Sequence, residues 1–365
     1  MKKKSIISLI LVTMLVCTFF SGCTDKNGAI VLKVGDKEFN EGMYLSAIAY
    51  ADMYLAQQSG ASYAESLDEE FDGKKGADIL KEQAEGLIRQ MEASRKVALD
   101  NGVTLTDEDK EVIDEQKQAS VDQLGGRKAF IEDLEARGMT EEFFDYIMEA
   151  SYLYSKYTQS FDVTSEEILS LVEAGGYVRV KHVLIQADSS AADFAGKKAL
   201  AEDIAKRAAA GEDFDALVAE YGEDPGMQSY PYGYIINQSG YTTDGQTQMM
   251  QEFTDGSVAL AVGEVSAPVQ TAYGFHIIKR YPIDAASLAD TTPVDFGGEA
   301  GGETIAMGTL IKYEFMDMAL GIKLMSVEEG LEVEKMEALD NVDIHGFFDD
   351  LKEKQENISH EGHDH

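Results

Sequence analysis

The sequence predicts an α+β protein in which a small sheet-bearing unit is inserted between mainly helical N- and C-terminal segments. Apolar residues recur at three-and-four spacing before residue 174 and again after residue 304, the period of amphipathic helices. Between residues 177 and 281 the pattern changes to short β-branched runs alternating with helical ones. Gly175-Gly176 marks the first change, and the small-residue, Gly-rich stretch "DAASLADTTPVDFGGEAGGE" at 284–303 marks the second.

From the start of the chain, "MKKKSIISLILVTMLVCTFFSGC" reads as a targeting segment and not as part of the fold. Lys2, Lys3 and Lys4 form a positive flank, and the apolar stretch Ile6–Phe20 has 15 residues. A bilayer-spanning helix needs ~20. The stretch ends in Phe20-Ser21-Gly22-Cys23, which resembles the bacterial lipobox. The expectation is therefore a lipoprotein signal peptide at 1–22, cleavage before Cys23 and acylation of its thiol; an ordinary secretory signal with an incidental cysteine is the alternative. Cys17 leaves with the signal, so neither a disulfide nor a free thiol is expected in the mature chain.

"AIVLKVGDKEF" then reads as a small strand or hairpin turning at Gly35-Asp36. Helical patterns follow at 41–58, 76–100 and 141–160. In the second, Leu80, Ala84, Leu87, Ile88 and Met91 keep the helical spacing, and Asn101-Gly102 supplies the stop. Thr106 with Asp109, and Thr164 with Glu167, have the spacing of capping boxes. The central unit is expected to run as strand 177–186, helix 191–210, short helix 213–221, a turn-rich segment, helix 246–260, and strands 265–270 and 274–281. Two more helical patterns, at 304–326 and 332–355, precede the acidic tail "ENISHEGHDH". The expected domains are thus 1–22 as signal, 23–174 as a helical domain, 175–283 as the α+β unit, and 284–365 as linker and helices.

The chain has 365 residues, 44% of them hydrophobic, enough for two or three packed cores. Its formal net charge of −36 argues against a nucleic-acid partner, because phosphates would be repelled. No Gly-rich phosphate loop, Gly-x-Ser-x-Gly elbow or His-Glu-x-x-His helix is present, and no cofactor is expected. His360, His363 and His365, with Glu361 and Asp364, lie in a terminal tail without a preformed geometry, so no metal site is assigned to them. The methionines of the C-terminal helical patterns, among them Met307, Met316, Met318 and Met325, suit either core packing or an adaptable surface.

Two histidines stand where strands ought to be apolar: His182 in "VRVKHVLIQ" and His276 in "YGFHIIKRY". A single strand histidine is compatible with a satisfied core imidazole. Here, however, the surroundings carry a resemblance. "VRVKHVLI", "GEDFDALVAEYGEDPG", "MMQEFTDGSVALAVGEVSAPVQTAYGFHIIKRY" and Gly233 between Tyr232 and Tyr234 occur in the order found in parvulin-type peptidyl-prolyl cis–trans isomerases, so 177–281 resembles that family. With the lipobox and helical flanks, the whole chain resembles the PrsA-like foldase lipoproteins and the SurA-like chaperones.

The resemblance implies a four-stranded antiparallel sheet with surrounding helices, and a C-terminal part that packs back on the N-terminal helices. It implies that His182 and His276 face each other across the sheet and that Thr271 steadies the pair; Asp224 falls where the family has a cysteine or an aspartate, and the reading favoured here has it as the polar group nearest the peptide bond. Met249 and Phe253, read as four apart on one helical face, and Tyr232, in a position usually held by leucine, would form the proline pocket. Packing alone also accounts for Met249 and Phe253, turn formation for Asp224-Pro225, and strand propensity for Thr271. The chain departs from the family at Ser229-Tyr230-Pro231-Tyr232-Gly233, where parvulins commonly have Gly-Gly-Asp-Leu-Gly, and in the longer loop "IINQSGYTTDGQTQ". The implied partners are unfolded or newly exported polypeptides with X–Pro bonds, with membrane attachment through Cys23 on the extracytoplasmic face of a bacterial cell; a homodimer is compatible. A binding chaperone with an inert central unit is the rival reading, and a solute-binding lipoprotein is disfavoured because neither helical part shows repeated βα units.

Overall fold

The computed structural model describes residues 28–60, 62–294 and 304–361. The expected leader with Cys23, the Gly-rich stretch 295–303, and the tail residues His363 and His365 lie outside them. Along the chain, strands β1 (Ile30–Val34) and β2 (Lys37–Asn40) lead into helix α1 (Glu41–Ser59). A small hairpin, β3 (Glu70–Phe71) and β4 (Lys74–Lys75), precedes α2 (Gly76–Asp100), α3 (Asp107–Gln123), α4 (Arg127–Ala136), α5 (Glu141–Ser160) and α6 (Ser165–Gly175). The central segment holds β5 (Val178–Gln186), α7 (Phe194–Ala209), α8 (Phe214–Tyr221), α9 (Gly226–Ser229), β6 (Tyr234–Ile236) and α10 (Gln251–Val258). It continues with β7 (Val269–Thr271), β8 (Gly274–Tyr281) and α11 (Ala285–Leu288). Last come β9 (Pro293–Val294), β10 (Ile305–Ala306), α12 (Met307–Glu329), β11 (Val333–Lys335) and α13 (Ile344–Glu361).

The chain forms two compact units. Among the described residues, one holds those up to Glu92, Glu111–Glu149 and those from Leu331 onward; the other holds Ala93–Lys110 and those between Ala150 and Gly330.

In the first unit, β1 and β2 pair antiparallel about Gly35, with Leu32 opposite Phe39 and Val34 opposite Lys37. Alternation sends Leu32, Val34 and Phe39 to one buried face. Asn40 caps α1 by accepting the Met43 N–H at 2.9 Å. The helix expected at 332–355 is corrected here: Val333–Lys335 is β11, antiparallel to β1 with Val333 opposite Val34. A 3₁₀ turn at Glu337–Asn341 follows, and α13 starts only at Ile344, behind Asp343, whose carboxylate accepts the Gly346 N–H at 2.9 Å. The open hydrogen-bonding edge of β1 recruits Val333–Lys335 into a ladder, and no local periodicity reports such a distant partner.

In the second unit, a four-stranded antiparallel sheet has the order β6-β5-β8-β7. β5 and β8 are paired over nearly their full length, with His182 opposite Ile278 and Leu184 opposite His276. The period of two then sorts the side chains. Val183, Ile185, Phe275 and Ile277 face one way and pack on Ala201, Ile204, Phe214 and Leu217 of α7 and α8. Val178, Val180 and Ile278 face the other way and pack on Phe253 and Leu260 in and just beyond α10. Fully burying each such Val, Ile or Phe stabilises by about 1.5–3 kcal/mol. Both capping boxes form: Thr106 and Asp109 exchange bonds, and Thr164 and Glu167 do so at the start of α6.

Two central elements are shorter than expected. The helix expected at 246–260 spans only Gln251–Val258, so Met249 precedes it instead of sharing a helical face with Phe253. The reason is local competition. Thr242 bonds to Asp244 and accepts the Thr247 N–H, Gly245 adopts φ 68°, and the Met249 N–H is taken by the Gly240 carbonyl. The strand expected at 265–270 reduces to Val269–Thr271 plus a single bridge from Val265 to Lys279.

Candidate active site

The register of β5 and β8 places His182 and His276 diagonally on the face that looks toward α10. Both are nearly inaccessible, at 4% and 5% exposure, in surroundings made of Phe253 and neighbouring strand residues. Their rings stack with centroids 5.0 Å apart at 10°, and Phe253 meets His182 edge-on at 5.0 Å. A buried imidazole pair of this kind is stable only if each nitrogen has a partner.

Each nitrogen has one. His182 Nε2 lies 2.7 Å from Asp224 Oδ2, and His182 Nδ1 lies 2.8 Å from His276 Nδ1. His276 Nε2 lies 2.8 Å from Thr271 Oγ1, which accepts the Tyr273 N–H at 3.1 Å. Asp224 also accepts the Tyr234 hydroxyl at 2.8 Å and the Gly226 N–H at 3.0 Å. Burial pushes the Asp224 carboxyl upward, but bonds from His182, Gly226 and Tyr234 outweigh it and hold the pKa down at about 2. Burial, with His182 adding to it, lowers His276 to about 4. An ionised Asp224 only accepts, so His182 presents Nε2–H to it. In the neutral form of the pair the remaining hydrogens are then dictated: His276 donates from Nδ1 to His182, and Thr271 donates to His276 Nε2.

Above this chain opens a cavity of about 430 Å³. Leu184, Met249, Phe253 and Pro225 supply apolar lining, while His182, His276, Asp224 and Tyr234 lie at its polar side. Gln186, Thr247, Gln248, Met250 and Tyr273 complete the lining. The combination is an apolar grip for a compact ring beside one fixed negative charge. Among the described residues, no cluster of three or more His, Cys, Asp or Glu is arranged to hold a metal ion.

Residues 167–281 match the family described as "PPIC-type PPIASE domain". The foldase protein PrsA of Caldanaerobacter subterraneus subsp. tengcongensis is 26% identical over 294 residues, which cover 75% of this chain and 81% of that protein. The chaperone SurA of Chromohalobacter salexigens is 41% identical over 101 residues, 28% of this chain and 21% of that protein. The crystal structure of PrsA from Bacillus subtilis aligns over 73% of this chain and 93% of that one, with 21% identity and a TM-score of 0.27. Residues 167–281 thus form a parvulin-type peptidyl-prolyl isomerase domain, and over most of its length the chain is similar to PrsA foldases.

In this parvulin domain, His182, His276, Thr271 and Asp224 come together in one hydrogen-bonded line, and Met249 and Phe253 meet at the cavity. Met249 arrives there from the loop before α10, not from the helix. Tyr232 is the correction. It does not line the cavity but is buried beside Val294 and Leu310, with its hydroxyl donating to Glu314. Its neighbour Tyr234 holds the cavity position instead. Gly233, at φ 97° and with no room for a Cβ beside the Val180 carbonyl, turns the chain tightly between the two rings.

Tyr234 and Gly226 are the members that the sequence reading passed over. Burial and the adjacent Asp224 raise the Tyr234 pKa, so the phenol stays a donor. A Cβ on Gly226 would sit 1.8 Å from the Tyr234 hydroxyl oxygen and 3.2 Å from Asp224 Oδ1. Only glycine leaves space for both to reach one another. The signal was present as the run "EDPG" followed by three tyrosines, but which tyrosine turns inward depends on Gly233.

Proposed function

We propose that the parvulin domain isomerises X–Pro bonds in unfolded, newly exported polypeptides through the Thr271–His276–His182–Asp224 line. We propose further that a lipid on Cys23 tethers the chain to the extracytoplasmic face of a bacterial membrane, and that 175–283 is the catalytic domain between helical segments that engage clients. The observation that carries the catalytic reading is a buried, fully hydrogen-bonded polar line ending in one ionised carboxylate at an apolar cavity.

An X–Pro bond is planar because the nitrogen lone pair is shared with the carbonyl, and rotation costs ~20 kcal/mol. No covalent step is needed; an enzyme has only to favour the twisted amide over both planar forms. Met249, Phe253 and Leu184 grip the proline ring, leaving the acyl side to rotate. As conjugation is lost, the carbonyl carbon becomes more electron-poor. A fixed negative charge on Asp224, beside the apolar lining of the cavity, favours that state over the planar amide. The histidines serve as the mount: their stacked rings and Thr271 allow His182 only one orientation, and His182 with Tyr234 and Gly226 fixes the carboxylate.

The test is cis–trans exchange of an X–Pro test peptide, measured by NMR with the full chain. Asp224→Ala is expected to lower kcat/KM by about 10²-fold, and Asp224→Asn, which keeps a similar shape without charge, by nearly as much. Melting of each variant is followed in parallel. A wild-type chain that suppresses client aggregation but leaves the exchange rate at its uncatalysed value would instead establish a binding chaperone with an inert domain.

A further inference from the structure

One carboxylate from beyond residue 281 reaches the neighbourhood of the cavity at two points. Glu314 lies on α12, and one of its oxygens accepts the Tyr232 hydroxyl at 2.5 Å while the other accepts the Thr243 hydroxyl at 2.7 Å. Each contact leads to the site by a short route. Tyr232 is 7% exposed and is separated only by Gly233 from Tyr234, the donor to Asp224. Tyr230 bridges the same two rings, with centroids 5.9 Å from Tyr232 and 5.3 Å from Tyr234. Thr243 sits in the loop between β6 and α10, whose later residues Thr247, Gln248 and Met249 line the cavity.

The carboxylate is itself mounted on a fixed element. Ile311 and Phe315 of α12 are fully buried against Ile235 of β6 and Ile168 of α6. Both Glu314 contacts are charge-assisted hydroxyl bonds, the stronger class, and each oxygen takes one partner. The departures from the usual parvulin pattern, a tyrosine at 232 and a longer loop, are the two features that Glu314 holds.

We infer that Glu314 is a positioning residue for the isomerase: through Tyr232 it sets Tyr234 and Asp224, and through Thr243 it sets the Met249 wall of the proline grip. The inference rests on the isomerase reading above. It also means that a fragment ending at residue 281 or 283 lacks a component of its own active site.

The experiment uses the full chain, the same exchange assay, and a peptide-binding titration. Glu314→Ala is expected to lower kcat/KM about tenfold without a matching loss of melting temperature. Glu314→Gln recovers most of the activity, because its amide oxygen still accepts the Tyr232 hydroxyl. Thr243→Val is expected mainly to raise KM, through the loop, and Tyr232→Phe mainly to lower kcat, through Tyr234. Tyr232→Phe combined with Glu314→Ala falls short of the sum of the two single effects. The inference is overturned if Glu314→Ala stays within about twofold of wild type, or if activity falls only in step with melting temperature and Gln restores nothing. A wild-type chain without isomerase activity overturns the isomerase reading and this inference together; an active wild type with an indifferent Glu314 overturns the inference alone.

Discussion

At the residue scale, His276 ties stability to pH through its burial. Its pKa is held at about 4, against 6.5 for an exposed imidazole. Between those values the unfolded chain binds the proton and the folded chain does not, so stability falls as pH falls from about 6.5 to 4 and is fully present above that window. The difference corresponds to roughly 3 kcal/mol for this one group. Denaturant midpoints of wild type and His276→Asn across that range are expected to converge as pH drops, because the variant lacks the titrating ring. A constant gap between them would remove His276 as the cause. Asp224, held at about 2, adds a dependence only below the ordinary carboxylate value of 3.8, where its protonation releases the His182 bond. At the same scale, Gly226→Ala is expected to part Tyr234 from Asp224, costing about 1–3 kcal/mol of stability and lowering kcat/KM about tenfold in chains that remain folded. An unchanged kcat/KM in those folded chains would mark Gly226 as merely structural.

At the scale of elements, the two long sheet strands are the device that makes the site. One face of β5 and β8 is closed by α7 and α8 and the other by α10, so a side chain on the second face is dry yet adjacent to a cavity. The histidines therefore occupy positions that packing would otherwise give to Val or Ile. Helix ends contribute separately. Thr164 both accepts the Glu167 N–H and is bonded by the Glu167 carboxylate, starting the helix α6 against which α12 packs. Thr164→Ala is expected to cost about 1 kcal/mol of stability and to leave kcat/KM of the X–Pro peptide unchanged. Urea unfolding followed by circular dichroism, with the exchange assay alongside, checks both halves of that expectation.

At the scale of the whole molecule, segments far apart along the chain meet in one sheet, with β11 on β1. Removing everything after Gly330 keeps Glu314 and the complete second unit but strips β1 of a partner and the first unit of the buried Leu331 and Ile344. Hydrogen exchange of such a truncated chain is expected to show lost protection at Gly35, whose N–H donates to the Glu332 carbonyl, while the isomerase rate stays within about twofold of wild type. Loss of the isomerase rate as well would show that the second unit needs the first. Among the described residues no helix is long and apolar enough to cross a membrane.

Much of this was legible in order along the chain. The hairpin at Gly35-Asp36, the helix at 76–100, both capping boxes and the strand 274–281 follow from interactions within a few residues, and local sequence encodes local interactions. His182 and His276 stood out because imidazoles in apolar strands are costly unless something pairs them, whereas Asp224 and Thr271 were marked only by the resemblance to parvulins. Their pairing needed the register of β5 against β8, which only the folded sheet supplies.

What the sequence by itself determined is the α+β class, the alternation that buries each strand, and the presence of two imidazoles in apolar strands, to which the family resemblance added Asp224 and Thr271. What only the tertiary structure decided is which tyrosine faces the cavity, where the helix before Phe253 begins, that Val333–Lys335 is a strand, and that Glu314 reaches Tyr232 and Thr243. Each of those turns on a partner distant along the chain or on competition between a side chain and the backbone for the same hydrogen bond. Such contests are settled by three-dimensional proximity, which periodicity along one dimension does not contain.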